Sequence, residues 1–130
     1  MATPTETVEA FLKACATSKE GMAQAFRDYF TPDAIWENVG LMTTTGPEEA
    51  IALMGNFEAQ LGCVTMVVDN LAIAAQGNKV LTERVDHLLR ADGSEAMAAR
   101  VMGIFEVENG KIVAWRDYFD TAGMMAGGQS

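Results

Sequence analysis

The hydrophobic period of this chain changes once, at Gly62, and that change limits what it can fold into. Before Gly62 apolar residues recur every three or four positions; after it they alternate. The alternating runs cover about 63–75, 80–90, 97–107 and 111–120. Between them lie Gln76-Gly77-Asn78, Ala91-Asp92-Gly93-Ser94 and Glu108-Asn109-Gly110, each short and rich in turn formers. Connections this short join antiparallel neighbours. Helices first and a four-strand meander afterwards predict an α+β domain. A strongly twisted sheet can curl around the helices, and the hollow between them would be a closed apolar pocket.

The helical half is punctuated by capping signals. Thr3-Pro4-Thr5-Glu6 predicts a capped start, followed by Val8, Phe11, Leu12 and Cys15 at one-sided helical spacing. A second helix is expected from Ser18 to about Phe30, with Met22, Ala25, Phe26 and Tyr29 inward, stopped by Thr31-Pro32-Asp33. Ala34 to Val39 reads as a short strand and Gly40 to Gly46 as a loop. Thr45-Gly46-Pro47-Glu48 repeats the capping-box pattern ahead of a third helix carrying Ile51, Met54 and Phe57. The tetrapeptide Arg-Asp-Tyr-Phe occurs at 27–30 and 116–119, but its flanks differ and it reads as coincidence.

Composition narrows the chemistry. The 130 residues, 49% hydrophobic, fit one domain spanning 1–130. A formal net charge of −9 argues against nucleic acid and against an anionic membrane surface. No apolar run approaches the roughly 20 residues a membrane span needs. Met1 to Glu6 lacks the basic start and apolar stretch of a secretory signal, so a cytoplasmic protein is expected. Cys15 and Cys63 are expected to be reduced core thiols, and one histidine without a C-x-x-C leaves zinc without ligands. Chemistry must therefore come from carboxylates, Arg, Asn or aromatic groups, with no metal.

Strand alternation then selects candidates. One face of the second run carries Thr82, Arg84, Asp86 and Leu88, while His87 falls on the other face and reads as a packing or subunit-contact residue. In the last run Val113, Trp115, Asp117 and Phe119 share a face, so Asp117 sits between two large aromatics, where a charge is costly unless paired or protonated. Trp36 and Asn38 share a face with Ala34. Each has a plainer reading: Arg84 and Asp86 as an ion pair on a solvated sheet, Asn38 as a turn or edge residue, Asp117 as a carboxylate bonded to backbone amides. The methionines, Met54, Met66 and Met102 among them, are expected in the core.

The segments Leu81-Thr82-Glu83-Arg84-Val85-Asp86 and Trp115-Arg116-Asp117-Tyr118-Phe119-Asp120, with Asn38 upstream, resemble the limonene-1,2-epoxide hydrolase family. That family belongs to the cone-shaped NTF2-like (SnoaL-like) superfamily, which also contains ketosteroid isomerases and polyketide cyclases. The resemblance implies an NTF2-like cone, with a curved mixed or antiparallel sheet wrapped around three N-terminal helices that enclose a pocket. It also implies a cofactor-independent enzyme, usually a homodimer, that adds water to an epoxide to give a vicinal diol. Carried over by position, Asp86 matches the general acid that protonates the epoxide oxygen, and Asp117 the general base that activates water. Arg84 matches the arginine between them, and Asn38 the amide that helps hold the water. Where the best-known members have a tyrosine that contacts this water, the chain has Trp36, whose indole N–H donates but cannot accept.

The chemistry suits these residues. Epoxide opening by water needs one proton removed and one supplied, which two carboxyl groups in opposite protonation states can do in one step. No G-x-S-x-G elbow is present for a covalent alternative. Two carboxylates about 4 Å apart repel by roughly 4 kcal/mol at an effective dielectric near 20, close to three pKa units. Repulsion and apolar walls, with Leu88, Trp115 and Phe119 expected to contact substrate, are set against Arg84, which favours both anions. An apolar alicyclic or aryl epoxide is the expected substrate. An isomerase or aldol-type cyclase using the same carboxylates, and a non-catalytic ligand-binding domain, remain open. The second face of the last strands (Ile104, Ile112, Ala114) is expected to serve self-association, and Thr121 to Ser130 to form a tail or a lid.

Overall fold

The computed structural model describes residues 2–122. Helix α1 (Pro4–Ala14) begins as expected: Thr3 Oγ1 accepts from the Glu6 amide and Glu6 accepts in return from the Thr3 amide, with Pro4 at the first turn. Helix α2 (Lys19–Tyr29) is capped by Ser18, whose hydroxyl accepts from the Gly21 amide at 2.9 Å. It ends earlier than the breaker Thr31-Pro32-Asp33 suggested. Phe30 is already extended, and Thr31 is held out of the helical region by the following proline. The chain therefore passes from helix to strand without a loop, and β1 (Phe30–Asn38) starts at Phe30 rather than Ala34.

The expected loop from Gly40 to Gly46 is largely a strand. After a turn at Gly40 (φ 86°), β2 (Met42–Thr45) pairs antiparallel with β1, setting Trp36 opposite Thr44 and Asn38 opposite Met42. This pairing also cancels the second capping box. Thr45 is the last residue of β2, opposite Ile35, and its side chain caps nothing; its amide instead donates to Glu49 Oε1 at 2.8 Å. Glu48 faces α2 and accepts from Arg27 Nε at 2.9 Å. Helix α3 (Gly46–Leu61) then ends in a left-handed cap at Gly62 (φ 78°), where the hydrophobic period changes.

The remaining strands are β3 (Cys63–Gln76), β4 (Lys79–Arg90), β5 (Glu95–Glu108) and β6 (Lys111–Tyr118), an antiparallel meander joined by the three turns read from sequence. The six strands form one curved, unclosed sheet in the order β2-β1-β6-β5-β4-β3. It is mixed because β1 runs parallel to β6. The three helices and the inner sheet face enclose an aromatic core. Phe11 meets Phe26, Phe105 and Trp115 edge-on, and Trp36 lies between Phe26 and Trp115, stacked on the latter at 4.5 Å and 6°. Cys15 and Cys63 are buried free thiols, and burial pushes both thiol pKa values up. No helix among the described residues is long and apolar enough to cross a membrane.

Two core expectations are overturned. Met54 and Met66 are buried, but Met102 is 50% exposed, because β5 alternates about Val101 and Gly103 and turns Met102 to the outer face. Ile112 is fully buried rather than part of an outer apolar face. The register shifts at Glu106/Val107, which oppose Ala114 and Ile112 and leave Val113 unpaired; that extra residue changes the strand's phase and brings Ile112 and Trp115 to the same side. His87 lies on the opposite face from Arg84 and Asp86, as read. It is flanked there by Asp69 Oδ2 at 3.0 Å and Glu95 Oε1 at 2.5 Å, and these contacts raise its pKa. Of the tail considered as a lid, residues 123–130 lie outside the described residues.

Candidate active site

Alternation on β4 turns Thr82, Arg84 and Asp86 inward, and all three are buried. Arg84 has no exposed surface. Its Nε donates to Asp86 Oδ1 at 3.0 Å and its Nη2 to Asp86 Oδ2 at 2.9 Å, a bidentate pair on one strand. The same Nη2 donates to Asp117 Oδ2 on β6 at 2.9 Å, and Nη1 donates to Thr82 Oγ1 at 2.9 Å. The guanidinium thus bridges the two carboxylates that alternation had assigned to separate strands. Its plane lies near the faces of Phe105 and Trp115, at 5.8 and 5.7 Å to the ring centroids.

Arg84 reaches across β5 because of Gly103. That glycine is opposite Thr82 on one side and Asp117 on the other. A Cβ there would collide with both Arg84 Nη1 and Asp117 Oδ1. Thr82 completes the support by donating its hydroxyl to the Gly103 carbonyl at 3.0 Å. Thr82 was placed on this face from sequence but given no role, and Gly103 was not singled out. The signal was available for Gly103, since a lone glycine inside a strand pattern marks a close approach.

Asp117 is bonded on both oxygens, to Arg84 through Oδ2 and to the Trp115 indole N–H through Oδ1 at 2.7 Å. Burial raises its pKa above the ordinary carboxylate value. Arg84 and the Trp115 hydrogen bond pull the other way, and the negative charge of Asp86 adds to the rise. For Arg84, burial opposes the charge but the two carboxylates outweigh it, so the guanidinium stays protonated.

The parallel pairing of β1 with β6 sets Asn38 beside Asp117 and Trp36 beside Trp115. Two buried donors there, Trp36 Nε1 and Asn38 Nδ2, have no hydrogen-bond partner among the described residues. Buried N–H groups of this kind are uncommon without a ligand or water to receive them. Both residues line a cavity of about 70 Å³ together with Asp86, Asp117, Leu88 and Phe119, closed on the helix side by Met54 and Phe57 of α3. Of the three side chains expected to contact substrate, Leu88 and Phe119 line this cavity. Trp115 does not; it is fully buried behind the wall and holds Asp117 instead. Among the described residues, no group of three or more His, Cys, Asp or Glu side chains is placed to hold a metal ion.

The arrangement has a definite charge balance. One guanidinium and two carboxylates total −1, and one proton on the pair makes the buried cluster neutral, the state a low-dielectric site favours. A neutral cluster of this kind contains one acid and one base facing an apolar cavity.

Residues 2–129 match the limonene-1,2-epoxide hydrolase catalytic domain. The epoxide hydrolase EphG of Mycobacterium tuberculosis is 34% identical over 120 residues, covering 92% of this chain and 75% of that protein. The solved structure of an M. tuberculosis epoxide hydrolase of this type superposes with a TM-score of 0.74 at 33% identity, over 95% of this chain and 83% of the other. A SnoaL-like polyketide cyclase fold from Jannaschia sp. CCS1 superposes equally well, TM-score 0.74, at 17% identity over 95% of this chain and 89% of that one, which is a likeness of fold alone. With its cone-shaped α+β fold and this degree of identity, the chain belongs to the limonene-1,2-epoxide hydrolase family of epoxide hydrolases.

Proposed function

We propose that the protein adds water to an apolar alicyclic or aryl epoxide in a single step, giving a vicinal diol. The observation that supports this reading best is the fully buried Arg84 held at 2.9 Å from both Asp86 and Asp117 at the wall of an apolar cavity. The two carboxyls hold one proton between them. Reaction starts from the form in which Asp86 carries it. Asp117 removes a proton from water as the water oxygen attacks an epoxide carbon, the C–O bond breaks, and Asp86 gives its proton to the departing oxygen. Burial of Asp117 makes it a stronger base than a solvated carboxylate, and Asp86, the more exposed of the two, faces the incoming ring.

Trp36 and Asn38 position the water. An indole N–H can donate to one lone pair of the water, and the Asn38 carbonyl can accept its second proton; the remaining lone pair is left for attack. On this reading tryptophan is compatible with the site, because the position needs a donor. No cofactor or metal takes part. The protein acts as a homodimer in this proposal, with the outer sheet face around the exposed Leu71, Met102 and Tyr118 as the contact. Mass measurement by light scattering tests it, and a monomer would refute it.

The deciding experiment is a single turnover of an aryl or alicyclic epoxide in ¹⁸O-labelled water. Direct attack places the label in the first diol formed, whereas a covalent enzyme ester would deliver an unlabelled oxygen first. An unlabelled rearranged product would mean an isomerase. Asp86→Asn and Asp117→Asn should each lower kcat by about 10²–10⁴ with the fold retained.

A further inference from the structure

We propose that the hollow between α2, α3 and the start of β3 is a second compartment of the substrate pocket. It would take an apolar chain or ring carried by the epoxide, with Met54 as the movable partition in front of it. This rests on the epoxide-hydrolase reading given above.

Three observations carry it. Met54 lines both the carboxylate cavity and the second hollow, so a single side chain separates them there, while beside it Trp36 of the first stacks on Phe26 of the second at 5.6 Å. The volumes are complementary. The carboxylate cavity, about 70 Å³, suits a reacting ring edge and a water, while the second, about 150 Å³ and lined by Met22, Phe26, Ile51 and Val64, matches an apolar cavity able to hold benzene. Finally, Gly55 lines the second hollow in the interior of α3, where glycine weakens a helix relative to alanine. Its φ is not positive, and an added Cβ would meet nothing within 4 Å. Neither backbone conformation nor close packing calls for glycine at this exposed position, and a longer side chain there could fold over the mouth of the hollow.

Methionine is unbranched and changes rotamer without moving backbone, so Met54 can swing to join the two spaces. Lys19 and Glu58, paired at 2.6 Å, stand at the solvent edge of the hollow and place charge beyond its apolar lining.

The test uses terminal 1,2-epoxyalkanes of four, six and eight carbons for turnover. The corresponding 1,2-alkanediols serve for binding, read by quenching of the two tryptophans, Trp36 and Trp115. In the unaltered protein, kcat/KM and diol affinity should each rise about threefold to fourfold per added methylene. Gly55→Leu, which places a branched side chain at the mouth of the hollow while favouring the helix, should flatten that rise, and Met54→Ala should steepen it. A chain-length dependence indifferent to both substitutions, in variants with the parent circular dichroism, would overturn the compartment. If no epoxide is hydrolysed but diol binding keeps a dependence that Gly55→Leu abolishes, the hydrolase reading falls and the compartment stands. If epoxides are hydrolysed and neither variant alters the dependence, the reverse holds.

Discussion

Gly103 faces Asp117 directly across β5 and β6, and the side chain it lacks is the space through which Arg84 reaches that carboxylate. Gly103→Ala should therefore displace Arg84 or Asp117 rather than fill a void. The expected cost is about 1–3 kcal/mol of stability, typical of overpacking, with a larger loss in kcat than in KM. Denaturant unfolding and steady-state kinetics check both. Unchanged kcat would mean that the bridge has no part in turnover.

Arg84→Lys should be severely impaired although the charge is kept. The guanidinium makes four hydrogen bonds in one plane, to Asp86 twice, to Asp117 and to Thr82. An ammonium has only three donors and no fixed fork. Loss of at least about 10²-fold in kcat is expected; Thr82→Val should show a milder version that Thr82→Ser restores.

Trp36→Phe removes the unpartnered indole N–H while keeping an aromatic ring in the stack between Phe26 and Trp115. Turnover should fall by roughly tenfold, the value of one hydrogen bond of about 1–1.5 kcal/mol, with KM little altered. Trp36→Tyr should recover part of it by returning a donor. Equal activity in Phe and Trp forms would remove the indole from water positioning.

The pH profile should be bell-shaped, because one proton must reside on the carboxyl pair. Its acidic limb should lie above the ordinary aspartate value of about 3.9, since burial raises Asp117. The folded state binds this proton more tightly than the unfolded chain, so stability falls as pH rises from the unfolded value through the raised one. Asp117→Asn should lack that fall, and a series of Tm measurements against pH compares the two directly.

His87 carries the opposite charge type on the far side of β4. Its pKa is raised by Glu95 and Asp69, so its contribution is complete below about 6.5 and is lost as pH climbs through the raised value. Being partly exposed, with its acidic partners at the surface, it should shift Tm only slightly, and NMR titration of its ring should give a midpoint above that of a free histidine. A midpoint at or below the free value would refute the pairing.

Much of this was legible in the sequence because strand alternation is local. Placing Thr82, Arg84 and Asp86 on one face, or Trp115 and Asp117 on another, needs only a period of two. The helix cap at Thr3, the start of the second helix near Ser18 and the three turns were readable for the same reason. What escaped depends on partners distant in the chain. β2 looks like a loop until β1 is beside it, and Thr45 loses its capping role to that pairing. The unpaired Val113, which turns Ile112 inward, comes from the register with β5 and leaves no mark in a hydrophobicity pattern. Met102 shares the composition of a core residue and is exposed only because of the phase of its strand. Trp115 was expected against substrate, and its place behind Asp117 follows from the stack with Trp36.

The parallel pairing of β1 with β6 joins the early part of the chain to the end of the meander and brings Asn38 to Asp117. During synthesis, β1 emerges some seventy-odd residues before its neighbour exists, and contacts so far apart in sequence form slowly. Until β6 docks, Arg84 lacks one of its two counter-ions, and the nascent sheet ends at an open edge on β5. Premature termination before Lys111 should thus yield an insoluble, protease-sensitive fragment, and catalytic competence should appear as the final event of folding.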